Sequence, residues 1–198
     1  MMTKSIACML ALAATLAFSG AAFAEHGYRG GSDAPPPRHA EFGEPYLFGH
    51  LGIFEPDGDI TNYNSGSNVD VGLGSRVTEN IAIEASLGRY AASSSTGDIT
   101  VWPMTFGARL ILPQPIIEPY AGLGLGFYRV NMDDLARFGV NDSNTAFGGY
   151  LSLGADAWLN PRTALNFEGR YQIVDPQLSN QHIDLSGWTV SLGIRVGF

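Results

Sequence analysis

The segment G-W-T-V-S-L-G-I-R-V-G-F, residues 187–198, carries an apolar side chain on every second residue: Trp188, Val190, Leu192, Ile194, Val196 and Phe198. Thr189, Ser191, Gly193, Arg195 and Gly197 make up the other face. A period of two describes a β-strand with one apolar and one small or polar face. The same alternation recurs in segments at roughly 45–55, 67–77, 81–91, 98–112, 117–130, 145–159, 163–174 and 183–198. Beyond the first residues, nothing approaches the ~18 consecutive apolar residues of a spanning helix. The 25 glycines also disfavour long helices. The sequence therefore predicts an all-β domain.

The connections between these segments alternate in character. The first is long and polar (E-P-D-G-D-I-T-N-Y-N-S-G-S-N), the second is the tight T-E-N, the third A-S-S-S-T-G-D and the fourth P-Q-P. The fifth is N-M-D-D-L-A-R-F-G-V-N-D-S-N, the sixth N-P-R and the seventh D-P-Q-L-S-N-Q-H. Long and short in strict turn is what an eight-stranded antiparallel up-and-down barrel in an outer membrane requires, with long loops outside and tight turns on the periplasmic side.

Alternation alone does not say which face meets water. The apolar faces include Val69, Val71 and Leu73; Ile81, Ile83 and Leu87; Trp102, Met104, Phe106 and Leu110; Leu123, Leu125 and Phe127; Leu151 and Leu153; and Leu165 and Phe167. The opposite faces carry Asp70, Arg76, Glu84, Arg109, Asp156, Glu168, Arg170 and Arg195, four carboxylates and four guanidiniums interleaved with glycines such as Gly122, Gly124 and Gly126. A soluble barrel would turn the charges outward. A glycine-lined face makes a poor solvated surface but relieves crowding inside a narrow barrel, and eight strands leave an interior that side chains can just fill. A balanced set of opposite charges is the tolerable form of buried charge. The reading is a transmembrane barrel with an internal ion-pair network.

The N-terminus supplies the route to that compartment. Lys4, the apolar run Ile6 to Phe18 and the A-x-A pattern Ala22-Phe23-Ala24 predict a signal peptide over 1–24. Cys8 lies too early to be a lipid-attachment cysteine, and no other cysteine exists. Residues 25–44, with Gly30-Gly31 and Pro35-Pro36-Pro37, read as a flexible arm, and 45–198 as the barrel domain. The only lysine, Lys4, belongs to the leader, which leaves ten arginines against nineteen carboxylates. This acidic balance excludes a nucleic-acid-binding role, which needs a basic footprint.

S-L-G-I-R-V-G-F resembles the closing strand of bacterial outer-membrane proteins. P-Y-A-G-L-G-L-G-F (119–127) and L-N-F-E-G-R-Y-Q (165–172) are similar to strands of the OmpA-like family of small eight-stranded barrels. The resemblance implies that Phe198 is an assembly signal read by the barrel-assembly machinery, and that the roles of stand-alone relatives, in adhesion, envelope integrity and surface interaction, are the ones to expect. Larger relatives carry a peptidoglycan-binding domain after the barrel; with Phe198 as the last residue, that activity is not expected. Some small barrels are enzymes acting on lipid A, which makes His182, Asp184 and Ser186 worth weighing. On an extended strand His182 and Ser186 would stand ~13 Å apart, out of hydrogen-bond reach, so a polar strand end is the better reading.

Asp57-Gly58-Asp59-Ile60-Thr61-Asn62 lacks the ligands of a calcium loop and reads as a turn. His26 and His39 sit in the arm without a partner cluster. His50 is expected beside Asp70 inside the barrel, and Trp102, Trp158 and Trp188 are candidates for interfacial girdles. No catalytic, cofactor-binding or metal-ligating residue is assigned. The expected partners are outer-membrane lipid and lipopolysaccharide, the barrel-assembly machinery and a possible extracellular ligand, with no nucleic acid. The expected function is a structural, envelope or surface-interaction role through acidic loops; the alternatives are a lipid A-modifying enzyme and a small non-specific channel.

Overall fold

A computed structural model describes residues 44–60, 63–95, 97–134, 140–174, 177–178, 181–182 and 184–198. The signal peptide and all of the arm except Glu44 lie outside the described residues.

The barrel strands are β1 (Pro45–Pro56), β2 (Gly66–Arg76), β3 (Ile81–Ser93), β4 (Asp98–Ile111), β5 (Ile117–Asp134), β6 (Val140–Asn160), β7 (Thr163–Val174) and, last in the chain, β10 (Gly187–Gly197). Between the last two barrel strands, β8 (Gln177–Leu178) and β9 (Gln181–His182) pair as a separate two-residue ribbon. A 3-10 turn covers Gly58–Ile60 in the first long connection. Each barrel strand pairs antiparallel with its chain neighbours, and β10 pairs with β1, so the sheet is a closed eight-stranded barrel without free edges. Closure removes the unpaired backbone groups that an open sheet would present.

The tight turns are held by their own polar residues. Thr78 Oγ1 accepts the backbone N–H groups of Asn80 and Ile81 at 3.3 and 3.0 Å. Asn160 Oδ1 accepts those of Arg162 and Thr163, both at 2.9 Å. These are the local side-chain-to-backbone bonds that make Thr and Asn good turn residues.

The register sets the tilt. From Tyr46 the pairs run to Gly74, Glu84, Gly107, Gly124, Tyr150, Gln172 and Gly187, and back to β1 at Pro56, ten residues beyond the start. That stagger around eight strands corresponds to a strand tilt of roughly 40° and a narrow bore.

The structure differs from the sequence expectation at two connections. Residues 131–144 were expected as a loop, but the ladder continues to Asp134 and resumes at Val140, so β5 and β6 form the tallest hairpin. The last strand was expected from residue 183 but begins at Gly187. There the backbone N–H and the hydroxyl of Ser186 both donate to Asp184 Oδ1, a local turn that competes with extension, and Leu185 folds inward to 2% exposure.

Candidate functional site: a filled lumen beneath an apolar mouth

The two faces of the wall have separate environments. Leu51, Leu123 and Leu192 on the outside are 69%, 62% and 68% exposed, whereas no polar side chain of the central lumen exceeds 9%. Asp70, Arg76, Glu84, Arg109, Asp156, Glu168, Arg170 and Arg195 all lie in the interior.

Their pairing runs upward from the tight-turn end. Arg76 pairs with Glu118 at 2.9 Å, and the Trp158 indole N–H donates to the other oxygen of that carboxylate at 2.9 Å. Trp158 is therefore an inward cap on the lumen; the girdle placement considered for it does not hold, because its strand parity puts it on the interior face. Above it, Glu84 meets Arg109 Nε at 2.7 Å and Arg195 at 3.3 Å, and accepts the Tyr46 hydroxyl at 2.7 Å. Arg195 also stands 3.1 Å from Asp156 as an ion pair without hydrogen-bond alignment. Glu168 holds Arg109 at 3.3 Å and Arg170 at 2.8 Å, and accepts the Tyr120 hydroxyl at 3.1 Å. Next come His50 Nδ1 with Asp70 at 3.0 Å, Ser86 with Thr105 at 2.8 Å, and the Asn68 amide donating to Ser191 at 3.0 Å.

Aromatic rings fill the space between the charges. Tyr120, Tyr46 and Tyr150 lie 4.1, 4.4 and 4.5 Å from the guanidinium carbons of Arg109, Arg195 and Arg170. These rings need glycine opposite them. A Cβ on Gly107 would sit 2.1 Å from the Tyr150 hydroxyl, and one on Gly193 would sit 2.1 Å from His50 Cδ2.

Toward the long connections the polarity of the wall exchanges. Inward side chains on β4 pass from Arg109 and Thr105 to Val101 and Ile99, while outward ones pass from Phe106 and Met104 to Thr100 and Asp98. On β5, inward Tyr128, Val130 and Met132 oppose outward Arg129 and Asn131. With Phe54, Tyr90, Ala146 and Val174, and with Ile60, Tyr63 and Leu185 from the connections, these residues form a buried apolar cluster that closes the mouth. Two of the long connections dock there: Asp57 N–H donates to Ser186 O at 2.9 Å, and Gly58, at φ +63°, lies against Asp184. An apolar interior with a polar exterior is what water selects; the inverse below is what hydrocarbon selects.

Glu118 and the apolar mouth escaped the sequence reading. Glu118 lies second in the strand expected at 117–130, next to Pro119, and is not among the lumen charges named from the sequence; its even parity with Tyr120 and Gly122 was the available signal. The mouth was obscured because its inward residues are apolar like the outward residues lower down. Of His182, Asp184 and Ser186, Ser186 is buried and donates to Asp184 within the local turn that its own N–H also closes, and the His182 side chain lies outside the described residues. The arm histidines His26 and His39 also lie outside them.

A closed antiparallel barrel, apolar outside and charge-paired inside, with an apolar belt ending where wall polarity reverses, is an integral outer-membrane β-barrel. The protein resides in the outer membrane. The family model "Outer membrane protein beta-barrel domain" matches residues 10–195, and the chain belongs to that family. Among solved structures it is similar to Neisserial surface protein A (18% identity, TM-score 0.66, covering 78% of this chain and 97% of that one). It is also similar to OprG from Pseudomonas aeruginosa (16%, 0.64, 82% and 99%) and to Ail, the attachment invasion locus protein of Yersinia pestis (15%, 0.51, 78% and 99%). At these identities the likeness is one of fold. No curated protein matches the sequence significantly.

Proposed function

We infer that this barrel is a non-enzymatic envelope protein whose interactions are carried by its acidic loops. One observation carries the reading: the lumen is filled and its charges are paired, which leaves the loop surface as the accessible chemistry. A conducting pore needs a hydrated path. Here the ionic layers are buried and an apolar cluster covers them. Carboxylates come from Asp57 in the first long connection, from Asp98, Asp133, Asp134 and Asp142 at the outer ends of β4, β5 and β6, and from Asp175 in the seventh connection, so a surface partner would be cationic. Ail, a relative in fold, has been crystallised with the heparin analogue sucrose octasulfate; that polyanion is the opposite of what these loops would select. Phe198, on the outward parity of β10 and 63% exposed, is available as the assembly signal for the barrel-assembly machinery.

The test uses full-length protein in vesicles with fluorescent polylysine as the probe. The parent is expected to retain polylysine in a salt-dependent way, and the Asp133→Asn, Asp134→Asn, Asp142→Asn variant to retain less. Equal retention refutes the loop reading. Discrete conductance steps in planar bilayers, or a mass change in lipopolysaccharide incubated with the protein, would establish the channel or the enzyme instead.

A further inference from the structure

The four lumen arginines have carboxylate partners, but two arginines face outward. The β4–β5 register sets Trp102 directly opposite Arg129. On the other side, the pairs Leu87↔Met104 and Tyr90↔Val101 bracket Arg89, placing it across from Trp102. The Arg89 guanidinium carbon lies 5.8 Å from the Trp102 ring centroid. One indole is thus flanked by two guanidiniums on the outer wall, with Arg89 half-buried, Arg129 exposed and Trp102 50% exposed. No carboxylate among the described residues pairs with either arginine.

The height of this row is what gives it meaning. One outward step below lie Leu87, Met104 and Phe127, with Phe147 against Phe127 at 5.7 Å. One outward step above lie Ala91, Thr100 and Asn131. Inward of the row stand Val101 and Val130 of the apolar mouth. The row therefore sits at the edge where hydrocarbon gives way to headgroups. With a tilt of roughly 40°, two strand spacings raise Arg129 ~6 Å above Arg89. The remaining described arginine, Arg162, lies in a tight turn at the opposite end, and the chain after the leader contains no lysine. Cationic chemistry on the described outer wall at this level is confined to one place.

We propose that Arg89, Trp102 and Arg129 form a binding site for the phosphate groups of an outer-leaflet glycolipid, lipopolysaccharide being the lipid class. Guanidinium forks match phosphate oxygens in a bidentate manner, and the indole both orients Arg89 through its face and anchors at the interface. Pro103 has no N–H to give to β3, and the β3–β4 ladder is interrupted beside Arg89 and Trp102. The loops above carry carboxylates that repel an anionic headgroup, so attraction at this lower level sets where the glycolipid phosphates lie. The site rests on the outer-membrane location and is independent of what the loops bind, so loss of polylysine retention would leave it standing.

The test measures retention of diphosphorylated lipid A by full-length protein in detergent, read by native mass spectrometry. Arg89→Gln/Arg129→Gln is expected to lower retention about tenfold or more, since two charge-assisted contacts are lost, with the heat-modifiable gel band unchanged. Unchanged retention overturns the proposal. A second arm needs no variant: the parent is expected to discriminate against dephosphorylated lipid A. Equal binding of the two forms overturns phosphate recognition, and equal retention of phosphatidylglycerol overturns the glycolipid assignment.

Discussion

Glu84→Leu tests whether the lumen network holds the barrel shut. Glu84 on β3 joins three other strands through Arg109 on β4 at 2.7 Å, Arg195 on β10 at 3.3 Å and Tyr46 on β1 at 2.7 Å. Breaking a buried ion pair by removing one partner costs about 3–5 kcal/mol, because a charge is left without compensation. Here the cost falls toward the lower end. Arg109 keeps Glu168 at 3.3 Å and Arg195 keeps Asp156 at 3.1 Å. A loss of about 3 kcal/mol is roughly a hundredfold in the folding equilibrium. For a urea m-value of about 2 kcal/mol/M, the unfolding midpoint drops by ~1.5 M. The assay is reversible urea unfolding in lipid vesicles, followed by tryptophan fluorescence and by the gel mobility of unboiled samples. Glu79→Leu in the exposed second turn is the control, expected within about 0.5 kcal/mol of the parent. The double variant Glu84→Leu/Arg195→Leu is expected to lose less than the two single losses combined, because contacting residues couple. Equal midpoints for Glu84→Leu and Glu79→Leu would refute the argument that paired lumen charges contribute to stability.

Other perturbations address the remaining layers. Leu192→Arg, on the outer wall at 68% exposure, is expected to cost about 2–4 kcal/mol in vesicles, as a cation near the bilayer midplane does, and an unchanged vesicle stability would contradict the lipid-facing assignment. Gly107→Ala drives a Cβ into Tyr150 and is expected to lose about 1–3 kcal/mol by urea titration. Adding Tyr150→Phe, which removes the hydroxyl the Cβ meets, should restore part of this, but not all, because the Leu123 carbonyl at 2.6 Å remains in the way. Gly58→Ala sets a side chain against Asp184 in a left-handed conformation. Proteinase K is expected to cleave the first long connection faster while the barrel stays heat-modifiable, and unaltered cleavage would show that this connection is not docked as described.

How much could be read in advance varied from element to element. The parity of β7 was plain because Leu165 and Phe167 alternate with Asn166, Glu168 and Arg170, so each side chain declares its face. On β4, Ile99 and Val101 break the pattern when read along the chain, since they are apolar residues on the polar parity. The explanation is that the strand leaves the membrane there, and a single strand does not report its depth. His50 could be placed beside Asp70 because β1 and β2 are consecutive and both residues lie on the polar parity, although the structure sets their direct pairing. Glu118 and Arg76 could not be matched, because their strands are separated in the barrel and meet only across the lumen.

Apart from the outer ends of β5, β6 and β10, the sequence by itself determined the barrel strands, their number and the alternation of long and short connections. These are local properties, carried by period-two patterning and turn chemistry. The tertiary structure decided the ten-residue stagger that closes β10 on β1, and with it the bore that brings Glu84, Arg109 and Arg195 into contact. It also decided the level at which the faces exchange polarity, and so the position of Arg89, Trp102 and Arg129 at the edge of the belt. Closure is a nonlocal condition on all eight registers at once, and depth in the membrane depends on the tilt that closure imposes.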